Sequence, residues 1–271
     1  MDIRFMDIRF NALFLTLRGR PVLQNVSGHL QKGKVTVILG ANGAGKSSLL
    51  ACLASLRTAD SGTVLLGDQP LPSIPAHIRA RQIGLLPQQA DIHWEINVRA
   101  LVALGRLPHQ GRWGKWAGKS ADDDAAIAKA MEQTDCKQFA DRKALRLSGG
   151  EQARVLLARV LAGEPDWVLA DEPLANLDPA HQMDAVSCLK DVAQGGAGVV
   201  LVLHDLTQAA RIADHVIIMK QGRILSAGTC EQVLTHDQLA EAFGVSVHIG
   251  TDDAGAPIIT PVSRAEIASV I

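Results

Sequence analysis

Residues 40 to 47 read Gly-Ala-Asn-Gly-Ala-Gly-Lys-Ser, and Ser48 follows. This GxxxxGK[ST] segment lies between the apolar run Val35 to Leu39 and the helix-compatible stretch Ser48 to Leu53, the strand, turn and helix context that a phosphate cradle requires. Gly40, Gly43 and Gly45 let the backbone curl so that loop N–H groups, those of Asn42, Ala44 and Ser48 included, gather around one anion at the positive end of the following helix. Lys46 then reaches the β- and γ-phosphates, and the Ser47 hydroxyl ligates Mg²⁺.

A phosphate loop needs an acidic partner at a strand end. Trp167-Val168-Leu169-Ala170-Asp171-Glu172-Pro173 supplies one: Asp171 is placed to hold Mg²⁺ through water, and Glu172 to orient and deprotonate an attacking water. Phosphoryl transfer depends mostly on positioning and charge stabilisation, so paired carboxylates suit hydrolysis. Leu147-Ser148-Gly149-Gly150-Glu151 opens the helical pattern Gln152 to Arg159. Ser148 is a good N-cap, and the small residues Gly149 and Gly150 make this start either an ordinary cap or a second anion site. Nothing in the residues alone explains why one nucleotide should need two such starts so far apart.

The elements that must position these residues follow from hydrophobic period. Alternation at Leu13, Leu15 and Leu17, then Val22 and Leu23, and the run Gly62 to Leu66 before the turn Gly67-Asp68 predict short antiparallel strands beside the loop. The apolar runs Val35 to Leu39, Ile83 to Leu86, Trp167 to Ala170, Val199 to Leu203 and His215 to Met219 alternate with helix-compatible stretches, which predicts an α/β core with a mostly parallel sheet flanked by helices. Residues 90–147 show helical spacing at Val98 to Leu104 and Ala125 to Met131, around a polar loop, Pro108 to Ala121, that carries Trp113 and Trp116; they read as an α-helical insertion into the core. From residue 243 to 271 the pattern weakens into a tail, and Gly250 to Pro261 reads as loop.

The 271 residues, 47% of them hydrophobic, fit one α/β domain spanning 1–271. A net charge of −1 without a Lys/Arg block gives no electrostatic case for nucleic acid. The longest apolar runs fall far short of the roughly 20 residues that span a bilayer, and no signal peptide is read at the start. Cys52, Cys136, Cys188 and Cys230 form no CxxC pair, so neither a zinc site nor a disulfide framework is expected. The opening MDIRFMDIRF is a direct duplication, and Met6 reads as the natural start.

The ordered set GANGAGKS, LPQ, LSGGE, LADEP, NLDP and a lone His after an apolar strand resembles the nucleotide-binding subunits of ABC transporters over about residues 10 to 230. The resemblance implies an ABC-type P-loop ATPase core with an antiparallel β subdomain and an inserted helical subdomain. It also implies a homodimer in which two subunits sandwich two ATP molecules head to tail. The segment at Ser148, Gly149 and Gly150 of one subunit then closes over the γ-phosphate held by the other, so each site is composite. Gln88 is implied to touch Mg²⁺ and the attacking water, Asp178 to lie at the dimer interface, His204 to contact the γ-phosphate, and Glu172 to be the general base.

The chain departs from the family at one place. Where such proteins carry an aromatic residue that stacks on adenine, this chain, which has no Tyr, offers Leu17 and Arg18. Apolar contact and cation stacking make a weaker base platform than a ring, so poor discrimination between ATP and GTP is expected.

Without a membrane span of its own, such a subunit implies separate polytopic permease subunits, an indirect link to a substrate-binding protein, and a peripheral place on the cytoplasmic face of the inner membrane. Asn97 to His109, with Gly105-Arg106-Leu107-Pro108-His109, is similar to the VxxGRxPH segment of ATPases of iron-chelate, haem and cobalamin importers, near the groove that receives a permease helix. Zinc or manganese import, and a soluble ABC-type ATPase acting outside transport, are the alternatives.

Overall fold

The structure is a computed structural model that describes residues 6–89, 92, 93, 95–109 and 121–265. The first five residues of the duplicated start, and Trp113 and Trp116 of the polar loop, lie outside the described residues. The chain begins with strands β1 (Ile8–Leu17) and β2 (Arg20–Leu30), which pair antiparallel with Leu17 opposite Arg20. Arg18 and Gly19 make the turn with φ of 50° and 76°, the positive-φ pair whose twist suits a tight hairpin. Strand β3 (Val35–Leu39) leads into helix α1 (Lys46–Leu53), followed by β4 (Ser61–Leu66), β5 (Gln69–Pro70), α2 (Ala76–Gln82) and β6 (Ile83–Leu86). The helical stretch supplies α3 (Val98–Ala103), α4 (Ala121–Gln133) and α5 (Gly149–Ala162). Then come β7 (Trp167–Asp171), α6 (Pro179–Gln194), β8 (Gly198–Val202), α7 (Leu206–Ile212), β9 (His215–Lys220), β10 (Arg223–Gly228), α8 (Cys230–Val233), α9 (His236–Phe243), β11 (Val245–Thr251) and β12 (Pro257–Arg264).

The main sheet has the order β10-β9-β3-β8-β7-β6, parallel except for the β10 edge. Every residue of β3, β7 and β8 is buried, which is why these strands read as continuous apolar runs: helices cover one face and the second sheet the other. That second sheet, order β2-β1-β4-β5, is antiparallel and shows the alternation of a half-buried layer. Its inner face, Ile8, Phe10, Leu13, Leu15 and Leu23, packs with α1 and with Ile38, Leu169 and Val200 of the main sheet in one hydrophobic cluster. A second cluster joins the opposite face of the main sheet to α3, α4, α5, α6 and α7.

The insertion is fastened to the end of α5 by the Gly105–His109 segment, a tight helical turn. The buried Arg106 guanidinium donates to Asp123 Oδ1 (2.7 Å), the Ala162 carbonyl (3.0 Å) and Glu164 Oε2 (2.9 Å). His109 Nε2 meets the Gly163 carbonyl at 2.8 Å. Gly105 is required by the close approach: a Cβ there would lie 2.0 Å from the Arg159 carbonyl. Arg106 and His109 therefore act inward, while Leu107 between them is exposed.

The tail differs from the expectation of a loop over Gly250 to Pro261. β11 and β12 pair as an antiparallel hairpin, with Val247 and Ile259 buried against the main core. Most of the outward positions of β12 are exposed, so the segment lacks a visible apolar period and its burial is set by what it docks on.

Candidate nucleotide site

β3 runs from the middle of the sheet into the loop at 40 to 45, and α1 leads out of it. Gly40, Gly43 and Gly45 have φ of 150°, 80° and 101°, a region that side chains enter at a cost. A Cβ on Gly45 would lie 2.6 Å from the Val22 carbonyl, so β2 sits directly on the loop. The Gly222 N–H donates to the Ala44 carbonyl (3.0 Å), and the Gln24 N–H to the Gly222 carbonyl (2.8 Å). Loop, β9–β10 turn and β2 are thus tied together. Asn42 and Gly43 are exposed at the mouth, whereas Ala44, Gly45 and Lys46 are buried.

At the start of α1 the N-cap is Gly45, with no side-chain cap and no acidic residue in the first turn. The N–H groups of Lys46, Ser47 and Ser48 have no intrahelical partner and carry the positive end of the dipole, so the site suits a phosphate. Lys46 Nζ donates to the Gly40 (2.8 Å) and Ala41 (3.2 Å) carbonyls, which folds its cation into the cradle. Burial pushes the Lys46 ammonium below its ordinary value, and the charges of Glu172 and Asp171 oppose the change.

Three side chains converge because their strands are neighbours. β6, β7 and β8 lie side by side and parallel, so the residues just beyond their C-terminal ends share one edge, the usual place for a ligand in such a sheet. Gln88 follows β6, Glu172 follows β7 and His204 follows β8. Gln88 Nε2 donates to Glu172 Oε1 (2.8 Å), and His204 Nε2 meets the same oxygen at 2.5 Å. Glu172 has φ 55°, a left-handed conformation that costs a non-glycine residue ~1–2 kcal/mol. Its N–H donates to the Val202 carbonyl (3.0 Å), which holds the turn and aims the carboxylate across the ends of β6 and β8.

Asp171, one residue earlier, is buried, and its Oδ1 has no hydrogen-bond partner among the described residues. Burial pushes its carboxyl above the ordinary range; the hydrogen bond of the Ser47 hydroxyl pulls it back. An orphaned carboxylate oxygen beside a hydroxyl is a hard oxygen donor set. No group of three His, Cys, Asp or Glu side chains able to hold a metal occurs among the described residues. A cation here depends on waters and phosphates for its remaining ligands, as Mg²⁺ does. Ser47 and Asp171 therefore fit Mg²⁺, with Gln88 at the same edge.

The second helix start is built differently. Ser148 caps α5, accepting from the Glu151 N–H (3.3 Å), while Glu151 Oε2 accepts from the Ser148 N–H (2.7 Å). Arg142 holds the other carboxylate oxygen at 3.2 Å. The Ser148 and Glu151 bonds close within the cap, so Ser148, Gly149 and Gly150 stand as a self-satisfied helix start in the single chain. Asp178 caps α6 in the same manner, bonded to the His181 N–H and ring, and the backbone bond first, then the ring, holds its carboxyl below the usual range. Leu17 is half-buried, and Arg18 is exposed at the hairpin tip.

Asn176 opens the NLDP motif, to which the sequence reading gave a role only at Asp178. It has φ 68°, and a Cβ on Gly150 would lie 3.2 Å from its carbonyl. It joins the loop after Glu172 to the start of α5. The available signal was its type, since Asn is several-fold enriched among non-glycine residues in this conformation.

A phosphate cradle, a carboxylate at the neighbouring strand end and a buried second carboxylate define a P-loop NTPase. The ABC transporter family profile matches residues 23–175. The chain is 40% identical over 257 residues, 94% of its length and 86% of the relative's, to the hemin import ATP-binding protein HmuV of Rhodococcus jostii. It is 37% identical over 245 residues, 90% of its length and 89% of the relative's, to the ferric enterobactin transport ATP-binding protein FepC of Escherichia coli. With the cobalamin import ATP-binding protein BtuD of Halobacterium salinarum it shares 38% over 258 residues, 94% of its own length but 64% of that protein. Its fold matches a chain of a metal-chelate type ABC transporter in an inward-facing conformation, with TM-score 0.80 at 24% identity over 96% of this chain and 98% of that one. A dimeric bacterial ABC transporter cassette matches with TM-score 0.74 at 26% identity over 82% and 98%. The protein belongs to the ABC transporter family. It is an ATP-binding subunit of the importer kind, an ATPase coupled to transport.

Proposed function

We propose that this chain, as a homodimer bound to polytopic permease subunits on the cytoplasmic face of the inner membrane, powers import of an iron chelate, haem or a ferric siderophore, delivered by a substrate-binding protein. The observation that carries the chemistry is the meeting of Gln88 and His204 on one oxygen of Glu172, at the strand ends beside the phosphate loop. The cargo reading is supported by the names of the hemin and ferric enterobactin relatives and by the Gly105–His109 segment. No helix among the described residues is long and apolar enough to cross a membrane; in this reading the translocation path is that of the permease subunits.

In this reading the loop N–H groups and Lys46 hold the phosphates, and Leu17 with Arg18 offers the base its contact. Ser47, Asp171 and Gln88 would hold Mg²⁺, which would supply charge neutralisation to the phosphates. Both Gln88 and His204 bond Glu172 Oε1, which leaves Oε2 to take the proton of an attacking water. His204 donates to the γ-phosphate once Glu172 turns to water. Ser148, Gly149 and Gly150 of the second subunit cover the γ-phosphate, with Asp178 at the interface between the two.

The test is ATP-driven uptake in vesicles holding the chain with the permease that copurifies with it. Haem or a ferric siderophore should be translocated, and Glu172→Gln should slow hydrolysis by about 10²- to 10⁴-fold while leaving ATP binding intact. Transport of a bare metal ion alone would overturn the cargo; parent-rate hydrolysis by Glu172→Gln would overturn the base.

A further inference from the structure

α7 begins two residues after His204 and is gripped from outside by the C-terminal hairpin. The Thr207 hydroxyl donates to the Ile259 carbonyl (3.0 Å) and accepts from the Ile259 N–H (2.9 Å). One side chain thereby satisfies both backbone groups of a buried strand residue, as a neighbouring strand would. One turn further along, Arg211 Nε donates to the Pro257 carbonyl (3.1 Å) and Nη2 to Asp252 Oδ2 (2.7 Å). The other oxygen of Asp252 accepts from the Ala254 and Ala256 N–H groups at the hairpin turn (3.0 and 2.8 Å), so the ion pair joins α7 to the fold of the turn itself.

The inner side of α7 is bound to the site. Asp205 caps its first turn, accepting from the Gln208 N–H. Gln208 Nε2 donates to Gln182 Oε1 (2.6 Å), and Gln182 donates to the Leu174 and Leu177 carbonyls, both at 3.2 Å, in the loop that leaves Glu172. His204 itself meets Glu172. α7 is thus a short lever, tied to the hairpin through Thr207 and Arg211 and to the Glu172 loop through Gln208, with His204 two residues before its start. Short helices shift as units, because packed elements are not continuously deformable.

We propose that the β11–β12 hairpin is a positioning element for hydrolysis, and that Thr207 is the positioning residue through which it fixes His204 against Glu172 and the γ-phosphate. The Thr207 hydroxyl bonds the Ile259 backbone, and Thr207 is not among the residues assigned to the phosphate cradle. Its loss should therefore lower turnover and spare nucleotide binding. The proposal rests on the roles given above to His204 and Glu172.

The experiment is a double-mutant cycle in the full chain with Mg-ATP, with kcat, KM and equilibrium ATP affinity read separately. Thr207→Val keeps the shape and removes both bonds. It should lower kcat by roughly tenfold, within the range that small misplacements produce, with KM and ATP affinity unchanged, and Thr207→Ser should restore the rate. In a His204→Ala background Thr207→Val should cost nothing further, since the residue it positions is gone. Parent kcat in Thr207→Val, or an equal loss in both backgrounds, would overturn the positioning role. Parent kcat in His204→Ala would instead overturn the site reading beneath it. Should Thr207→Val not fold, Arg211→Gln, which opens the second grip, enters the same cycle.

Discussion

Two helix starts in this chain are candidates to meet the same γ-phosphate, and they are built in opposite ways. α1 opens on a left-handed glycine with no side-chain cap and no carboxylate in its first turn, so its N–H groups have no partner of their own. α5 opens on a complete capping box, Ser148 with Glu151, further held by Arg142. The first is preorganised for an anion from outside. The second is stable by itself, and the acidic Glu151 at its first turn already answers the helix dipole. On the proposed reading, this contrast sets which half binds first: α1 offers ATP a preorganised start in the single chain, whereas α5 has no electrostatic need of a ligand until a second subunit presents one. An order of events, nucleotide before closure, follows from how two helices are capped.

The contrast is broken most strongly at Lys46. Lys46→Ala removes the ammonium that the proposed reading sets on the β- and γ-phosphates; two charge-assisted hydrogen bonds of that kind are worth roughly 1.5–3 kcal/mol each, so ATP affinity of the isolated chain should fall by about a hundredfold or more. Titration with a fluorescent ATP analogue measures it, and affinity within a few fold of the parent would mean that the α1 start is not the primary phosphate site. Ser148→Ala should act in the complementary way. ATP affinity of the single chain stays at the parent value, hydrolysis by the dimer falls, and the α5 cap loses about 1 kcal/mol of stability. Weaker ATP binding to the isolated Ser148→Ala chain would erase the distinction between the two starts.

These parts were legible in the sequence to different degrees, for physical reasons. Strands β3, β7 and β8 were legible because burial on both faces writes itself as unbroken apolar runs. The phosphate loop was legible because only glycine tolerates the φ values of Gly43 and Gly45, which leaves a spacing nearly independent of context. Family resemblance implied a common site for Gln88, Glu172 and His204, but the meeting of Gln88 and His204 on one Glu172 oxygen was not legible: it depends on the strand order β8-β7-β6, and order is a tertiary fact that no local period carries. The β11–β12 hairpin escaped for a related reason. Its few buried residues, Val247 and Ile259, join the main core, β11 lying against α9 and β12 against α7, and Thr207 replaces the strand neighbour that a longer sheet would show. Arg106 and His109 read as a partner-facing segment, yet their polar groups turn inward to the end of α5, because Gly105 lets the backbone approach so closely.

The finest difference between the two starts is their response to acid. The backbone hydrogen bond from Ser148, above all, holds the Glu151 carboxyl below the usual glutamate range, with Arg142 adding to it; the α1 start has no carboxylate in its first turn, and burial pushes the Asp171 carboxyl that Ser47 bonds the other way, so its protonation costs the fold nothing. A carboxylate whose pKa is depressed on folding contributes stability that is fully present above its unfolded value and is lost as pH falls through its folded one. The α5 cap should therefore open as pH drops below the ordinary glutamate range, while the α1 start keeps its protection. Amide hydrogen exchange read at peptide resolution checks this: protection over 148–152 should decay with acid before that over 49–53, the first hydrogen-bonded amides of α1. Glu151→Gln retains a capping-box side chain but no charge, so it should start from lower protection at neutral pH and show no acid limb. Equal acid sensitivity of both segments in the parent, or a limb that survives in Glu151→Gln, would show that the cap of α5 is held by something other than its carboxylate.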